Sequence, residues 1–298
     1  MKVLVFGSLN LDHVYQVDHF VQPGETMTSL ALNLFCGGKG LNQSIAFAKS
    51  GMETYHAGAV GREDSDLLIE ALKEAGVHTE WIQKKAGPSG HAIIQTTPDG
   101  ENCILLYGGA NQSLMEEDVD SVLSHFSEGD VLVLQNEINQ LPCIMEKAKA
   151  IGMTMVLNPS PADENLSRLP VSSADYLILN EVEGAVISKA SVSDEDGIFR
   201  ELMKRFPDTR IVLTLGEKGS VYGYKDKICR QPACPAKVVD TTAAGDTFTG
   251  FFMGSLLRGS SVEEALWTAS AAASIAVSRH GASSSIPTWD EVENFAGK

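Results

Sequence analysis

Short, unbroken aliphatic runs recur along this chain, with helix-period segments between them. The runs fall at 3–6, 54–60, 131–135, 153–157, 176–179 and 211–215. They do not alternate apolar with polar residues, and strands covered on both faces read this way. The helical stripes between them stop at glycines. Leu67, Leu68, Ala71, Leu72 and Ala75 form one stripe before Gly76. The segments 44–49 and 142–151 end at Gly51 and Gly152. Each glycine suits a left-handed helix cap. Strand, helix and strand in repetition imply right-handed crossovers and a parallel sheet with helices on both faces. A length of 298 residues fits one such α/β domain over 1–298. The expected architecture is a three-layer α/β/α fold with a mostly parallel central sheet.

Two stretches break the rhythm. Residues 13–36 carry Val14, Val17 and Phe20, then Pro23-Gly24-Glu25, then Leu30, Leu32 and Leu34. Residues 88–110 carry an apolar run at 91–95, a Pro98-Asp99-Gly100 turn and a second run at 103–107, which is a hairpin signal. Together they predict a small β-sheet outside the main one. Flanking the first strand–helix unit, it is placed to act as a lid over the carboxyl edge of the parallel sheet. His91 and Gln95 are polar lid positions expected to adjust selectivity.

Composition narrows the function. Lys plus Arg number 23 against 39 Asp plus Glu, a formal charge of −16. Such a field repels nucleic acid, but it leaves room for a phosphate held by local backbone amides. Five scattered cysteines, at 36, 103, 143, 229 and 234, lack CxxC spacing and a completing His pair. They read as free buried thiols in a reducing compartment. No apolar stretch approaches 18 residues, and the start of the chain lacks a signal-peptide core, so a cytoplasmic protein without a membrane segment is expected.

Several segments can carry chemistry. The run DTTAAGDTFTG from Asp240 to Gly250 precedes a helix. Its small residues Ala243, Ala244 and Gly245 let unpaired amides approach an anion at a helix N-terminus. Asp246, in the first turn, can take a hydroxyl proton during phosphoryl transfer; a plain helix cap is the other reading. Gly37, Gly38 and Gly40 surround Lys39, with Asn42 one turn later. This is neither a Walker loop nor a GxGxxG fingerprint, so a dinucleotide-dependent dehydrogenase does not fit. Amides, an ammonium and a carboxamide suit a polyhydroxyl ligand; a simple turn before a helix is the alternative. Asn10 and Asp12 end the first strand and Glu137 follows the strand at 131–135, at the sheet edge where α/β folds bind ligands. A carboxylate accepting two hydroxyl hydrogens grips a vicinal diol. Asn180 and Glu183 fit water-mediated Mg²⁺ binding or a capping box. Gly216 and Gly219 flank Lys218 after a strand, suiting a turn around phosphates.

The sequence resembles the ribokinase-like (PfkB) carbohydrate kinases. The likeness rests on Gly7–Asp12 (GSLNLD), Phe35–Gln43 (FCGGKGLNQ) and Asp240–Gly250. Asn158–Pro161, Asn180–Glu183 and Thr214–Gly219 follow in family order. The resemblance runs from Val3 to Pro287 and implies ATP-dependent phosphorylation of a sugar primary hydroxyl, with D-ribose giving D-ribose 5-phosphate. Fructokinase, deoxyribokinase, nucleoside kinase and a non-catalytic sugar sensor are the alternatives. It implies sugar contacts from Asn10, Asp12, Gly38, Lys39, Asn42, Glu137 and Asp246. Asp246 would be the base, with Ala243, Ala244 and Gly245 as anion hole. Asn180, Thr214, Gly216, Lys218, Gly219 and Ser270 would hold the nucleotide, Ser270 by alignment alone. Glu183 would bind Mg²⁺ through water. Asp240, Thr242, Ala276, Arg279, Gly281 and Ser285 would hold K⁺, mostly through backbone carbonyls. Ser283-Ser284 stands where the family has Gln-Pro, and His280 reads as solvated. A homodimer through paired lid sheets is also implied.

Overall fold

The computed structural model describes residues 1–163, 166 and 169–296. The chain runs β1 (Val3–Phe6), β2 (Asn10–Gln16), β3 (Ala31–Gly37), α1 (Lys39–Lys49), β4 (Thr54–Gly61), α2 (Asp66–Glu74), β5 (His78–Lys85), β6 (Gly90–Thr96) and β7 (Asn102–Tyr107). It continues through α3 (Glu116–Leu123), β8 (Val131–Gln135), α4 (Leu141–Ile151), β9 (Thr154–Asn158), β10 (Tyr176–Asn180), α5 (Glu181–Ser188) and α6 (Glu195–Arg205). The last elements are β11 (Arg210–Thr214), β12 (Ser220–Tyr224), β13 (Lys227–Gln231), α7 (Ala244–Leu257), α8 (Val262–Val277) and α9 (Trp289–Ala296).

A nine-stranded sheet has the order β13-β12-β11-β10-β9-β8-β1-β4-β5. It is parallel except where β12 pairs with β11 and β13. The unbroken aliphatic strands explain the three layers, because alternate residues of one strand serve opposite faces. Val3, Val5, Val131, Val133 and Val212 pack against Phe248 and Phe252 of α7 and Leu266 of α8. Leu4, Phe6, Leu132, Leu134 and Leu213 pack on the other face against Val119, Ile144, Ile198 and Leu202 of α3, α4 and α6. A fully buried side chain of this size contributes about 1.5–3 kcal/mol.

A second, four-stranded sheet has the order β3-β2-β6-β7. It begins at Asn10, directly beyond the carboxyl end of β1. The 98–100 turn closes the hairpin: Gly100 has φ 83° and its N–H donates to the Thr97 carbonyl.

Close approach of α1 and α7 brings two glycine-bearing segments, far apart in sequence, to one place. A Cβ at Gly250 would overlap Ala46, and one at Gly254 would overlap Ser50. These two glycines, one turn apart on α7, let the helices touch backbone to backbone. Asp246 lies one further turn toward the N-terminus, on the same side.

Two expectations need correction. The five cysteines are free but none is buried: Cys103 is exposed and the others half-buried. Leu67, placed in the apolar stripe of α2, is exposed, while Leu68 and Leu72 face the core. Among the described residues no helix is long and apolar enough to cross a membrane.

Candidate active site

The first cluster forms where α1 starts. Gly38 has φ 93°, and a Cβ there would press on the Ser8 carbonyl oxygen at 2.9 Å. The helix therefore begins flush against the turn between β1 and β2. The Leu41 N–H donates to the Ser8 carbonyl (3.0 Å) and the Gly40 N–H to Ser8 Oγ (3.3 Å). Glu137, two residues beyond β8, closes the cluster: its Oε2 accepts from Ser8 Oγ and from the Lys39 N–H. Asp12 is pushed up to about 6, first by burial and then by the neighbouring charge of Glu137. Burial lowers the Lys39 ammonium, but the carboxylates of Asp246, Glu137 and Glu183 outweigh it and leave the group raised above its ordinary value. Asn10 Oδ1 accepts from Asn111 Nδ2 (2.8 Å), while Asn111 Oδ1 accepts from the Leu9 N–H (3.0 Å).

The second cluster is the start of α7. Ala243 caps it in the left-handed region, φ 61°, without a capping side chain. That conformation costs a non-glycine residue about 1–2 kcal/mol. Among the described residues the Gly245 and Asp246 amides find no acceptor, so the positive helix end stays open. Apart from its chain neighbours and the backbone of its own helix, nothing lies within 4 Å of where a Gly245 Cβ would stand. Packing alone gives no reason for glycine there. The Asp246 carboxylate is buried, with 7% of the residue exposed. Asn42 Nδ2 donates to its Oδ2 (3.0 Å) and Gln43 Nε2 to its Oδ1 (2.9 Å).

Further along the sheet edge, Asn180 and Glu183 form a complete capping box on α5. Asn180 Oδ1 accepts from the Glu183 N–H (2.9 Å), and Glu183 Oε2 from the Asn180 N–H (3.0 Å). Thr214 ends β11, and Gly216–Lys218 forms a single 3₁₀ turn beyond it. Asp240 ties two loops together: Oδ1 accepts from the Thr242 N–H (2.9 Å) and Oγ1 (2.6 Å), and Oδ2 from the Gly281 N–H (3.0 Å). Burial pushes Asp240 up, but these hydrogen bonds and nearby His280 prevail and hold it below the usual carboxylate range.

Residues 1–289 match the pfkB family carbohydrate kinases. The chain belongs to this family. A ribokinase of Staphylococcus aureus (strain COL) is 35% identical over 301 residues, covering 98% of each chain. A deoxyribokinase of Salmonella typhi is 31% identical over 303 residues, 99% of this chain and 98% of that one. The structure of Arabidopsis thaliana ribokinase complexed with ribose and ATP aligns with a TM-score of 0.88 at 30% identity, over 99% of this chain and 98% of that one.

In this carbohydrate kinase the fold brings Gly38, Lys39, Asn42, Glu137 and Asp246 into one cluster, with Asn10 and Asp12 at its lid edge. Several of the side chains expected at the nucleotide and cation have protein partners of their own. Lys218 Nζ reaches Glu195 Oε1 (2.7 Å). Ser270 Oγ accepts from the Cys234 N–H (2.9 Å) and donates to the Pro232 carbonyl (3.4 Å). The Arg279 guanidinium pairs with Glu291, at 2.6 Å, leaving its backbone to the loop. The Ala276 carbonyl accepts the Arg279 N–H (3.0 Å), and Ser285 is buried.

His91 and Gln95 do not face the cluster around Asp12 and Glu137. Register pairs His91 with Leu11 and Gln95 with Tyr15, whereas Asp12 pairs with Ala92 and Val14 with Ile94. The His91 ring lies against His13 and Tyr107 on the opposite face. Period-two alternation decides this, so Ala92 and Ile94 hold the Asp12 side. Sequence reading also passed over Ser8, Gln43 and Asn111. Ser8 and Gln43 lie inside the GSLNLD and FCGGKGLNQ segments, as polar residues at buried positions; nothing near Asn111 marked it.

Proposed function

We propose that this kinase moves the γ-phosphoryl group of ATP to the primary hydroxyl of D-ribose, giving D-ribose 5-phosphate and ADP. The observation that carries the reading is one buried carboxylate, Asp246, beside two open amides at a helix N-terminus and hydrogen-bonded to the α1 face that bears Lys39 and Asn42. Asn10, Asp12, Gly38, Lys39, Asn42 and Glu137 hold the sugar. Asn42 supports this through its Oδ1, which is buried without a partner among the described residues, an acceptor that a sugar hydroxyl satisfies.

The attacking hydroxyl oxygen bonds to the γ-phosphorus as the bridging bond to the β-phosphate breaks and ADP departs. Asp246 receives the hydroxyl proton. The transition state is loose, so holding the hydroxyl in line matters more than basicity. In the anion hole expected of Ala243, Ala244 and Gly245, the open amides of Gly245 and Asp246 face the charge on the moving group, whereas the Ala244 N–H already donates to the Thr241 carbonyl (3.3 Å).

Asn180, Thr214, Gly216, Lys218, Gly219 and Ser270 line the nucleotide's place. The residues present fit the two implied cations. Glu183 is buried with further lone pairs on both carboxylate oxygens, which suits Mg²⁺ held through water. Bound there, Mg²⁺ neutralises triphosphate charge. Asp240 is a carboxylate held below its usual range between two loops, hydrogen-bonded to Thr242 and to the Gly281 N–H; Thr242, Ala276, Arg279, Gly281 and Ser285 would add oxygens from these loops. Such an all-oxygen set suits K⁺.

The four-stranded sheet acts as a lid that excludes water from the reacting groups. Its face opposite Asp12 exposes Leu32, Leu34, Ile93, Leu105 and Tyr107, a patch that favours pairing of two copies through their lids. A cytoplasmic location fits ATP as the donor.

A coupled ADP-release assay over D-ribose, 2-deoxy-D-ribose, D-fructose and nucleosides, with Mg²⁺ and K⁺ present, tests the reading. D-Ribose should give the highest kcat/KM. A preferred nucleoside overturns the substrate, and absence of turnover with every acceptor overturns the activity.

A further inference from the structure

We propose that Gln43, oriented by Gln135, is a positioning residue for phosphoryl transfer that fixes how Asp246 presents its carboxylate. This rests on the reading of Asp246 as the base. Gln43 and Gln135 are both fully buried, and neither belongs to the sugar or nucleotide contacts described above. Gln43 Nε2 has two hydrogens. One goes to Asp246 Oδ1 (2.9 Å) and the other to Asn158 Oδ1 (3.2 Å). Its Oε1 accepts from Gln135 Nε2 (2.7 Å). Asn158 is oriented in turn, because its Nδ2 donates to the Ile178 carbonyl (2.8 Å).

The donor directions therefore form one consistent chain. Reversing the Gln43 amide would set two donors face to face at Gln135 and two acceptors face to face at Asp246. Only one orientation satisfies all three neighbours. The chain joins the carboxyl ends of β8 and β9 to α1 and the first turn of α7, so the sheet itself sets the carboxylate's direction. Gly7 belongs to the same device: a Cβ there would overlap Gln135 Oε1, so the end of β1 leaves the space that Gln135 occupies. Asn42 holds the other oxygen of Asp246. With one donor on each oxygen, the carboxylate plane is fixed; with the Gln43 donor gone, it can turn about its last torsion. An error near 1 Å in a reacting group lowers turnover about 10²-fold.

The test measures kcat, KM for D-ribose, KM for ATP and thermal midpoint in Gln43→Met, Gln135→Met, the double variant and Asp246→Asn. Gln43→Met should lower kcat about 10–100-fold while both KM values stay within about twofold of wild type. Gln135→Met should lower kcat less, and should have no further effect in the Gln43→Met background, since it acts through Gln43. Wild-type kcat in folded Gln43→Met, or equal factors for Gln135→Met in both backgrounds, overturns the proposal. Should Gln43→Met fail to fold, Gln135→Met decides: a lower kcat with unchanged KM supports the proposal, and an unchanged kcat overturns it. Near-normal turnover in Asp246→Asn overturns the base reading itself. Inactive Asp246→Asn beside normal Gln43→Met overturns the positioning proposal alone.

Discussion

The substitution Gly245→Ala adds one methyl group at the second residue of α7, where nothing beyond the chain neighbours and the helix's own backbone lies within 4 Å of the new carbon. Gly245 does not occupy the left-handed region, so alanine meets no backbone penalty. In a helix, alanine is favoured over glycine by roughly 0.5–1 kcal/mol. The folded protein should therefore keep its stability or gain, with a midpoint rise of about 1–4 °C. Chemistry should move the other way. The methyl group enters the open space that the Gly245 and Asp246 amides face, and it blocks the approach of phosphoryl oxygens to about 3 Å from those donors. Loss of one donor of this kind lowers kcat about 10²–10³-fold. The assay is ADP release at saturating ATP and sugar, beside a thermal melt. Turnover within about threefold of wild type would show that no phosphoryl group rests there. A midpoint lowered by several degrees would show that the space is filled by protein.

Three further outcomes depend on the charges. Asp12 is raised to about 6, and the proposed sugar contact needs its ionised form as acceptor, so KM for the sugar should climb as pH falls below about 6, approaching tenfold per unit; a KM flat from pH 7 to 5 removes Asp12 from sugar binding. His56, wholly buried with Nδ1 2.7 Å from Ser44 Oγ, is lowered to about 3, chiefly by burial, against the Gly7 backbone carbonyl, which favours the protonated ring and raises it. Its folded value lies below its unfolded one, so its contribution is complete above about 6.5 and is lost as pH falls toward 3, at about 1.4 kcal/mol per unit. Urea titrations of wild type and His56→Asn at pH 7 and 5 should show the smaller pH dependence in the variant, and equal dependence contradicts this. Replacing K⁺ by Na⁺ should lower activity; equal rates argue against a cation held by the Asp240 and Gly281 loops.

The central strands β1, β8, β10 and β11 were legible because burial on both faces leaves an unbroken aliphatic signature. β5 and β13 were not, because strands toward the sheet edges carry polar residues: HTEWIQKK and KICRQ have no such run; β12 is buried, but SVYGY has one aliphatic residue and a glycine in place of a run. The hairpin of β6 and β7 showed in its Pro-Asp-Gly turn. The start of β2 at Asn10 did not, since the chain changes sheets within three residues and Asn-Leu-Asp resembles a turn. At the site, Gly38, Lys39, Gly245 and Asp246 stood out as small and charged residues clustered in short segments. Gln43, Gln135 and Asn158 are ordinary carboxamides 92 and 115 residues apart in their pairings, and only the folded sheet closes them into one chain. The side that His91 faces depended on strand register, which a lone strand's sequence does not fix.

A crystal structure with D-ribose and a non-hydrolysable ATP analogue bound together would judge the phosphoryl-transfer reading. The primary hydroxyl should lie about 2.6–3.2 Å from an Asp246 carboxylate oxygen, in line with a γ-phosphate that accepts from the Gly245 and Asp246 amides. A closed complex with that hydroxyl turned away from Asp246, or with the γ-phosphate seated elsewhere, would contradict it.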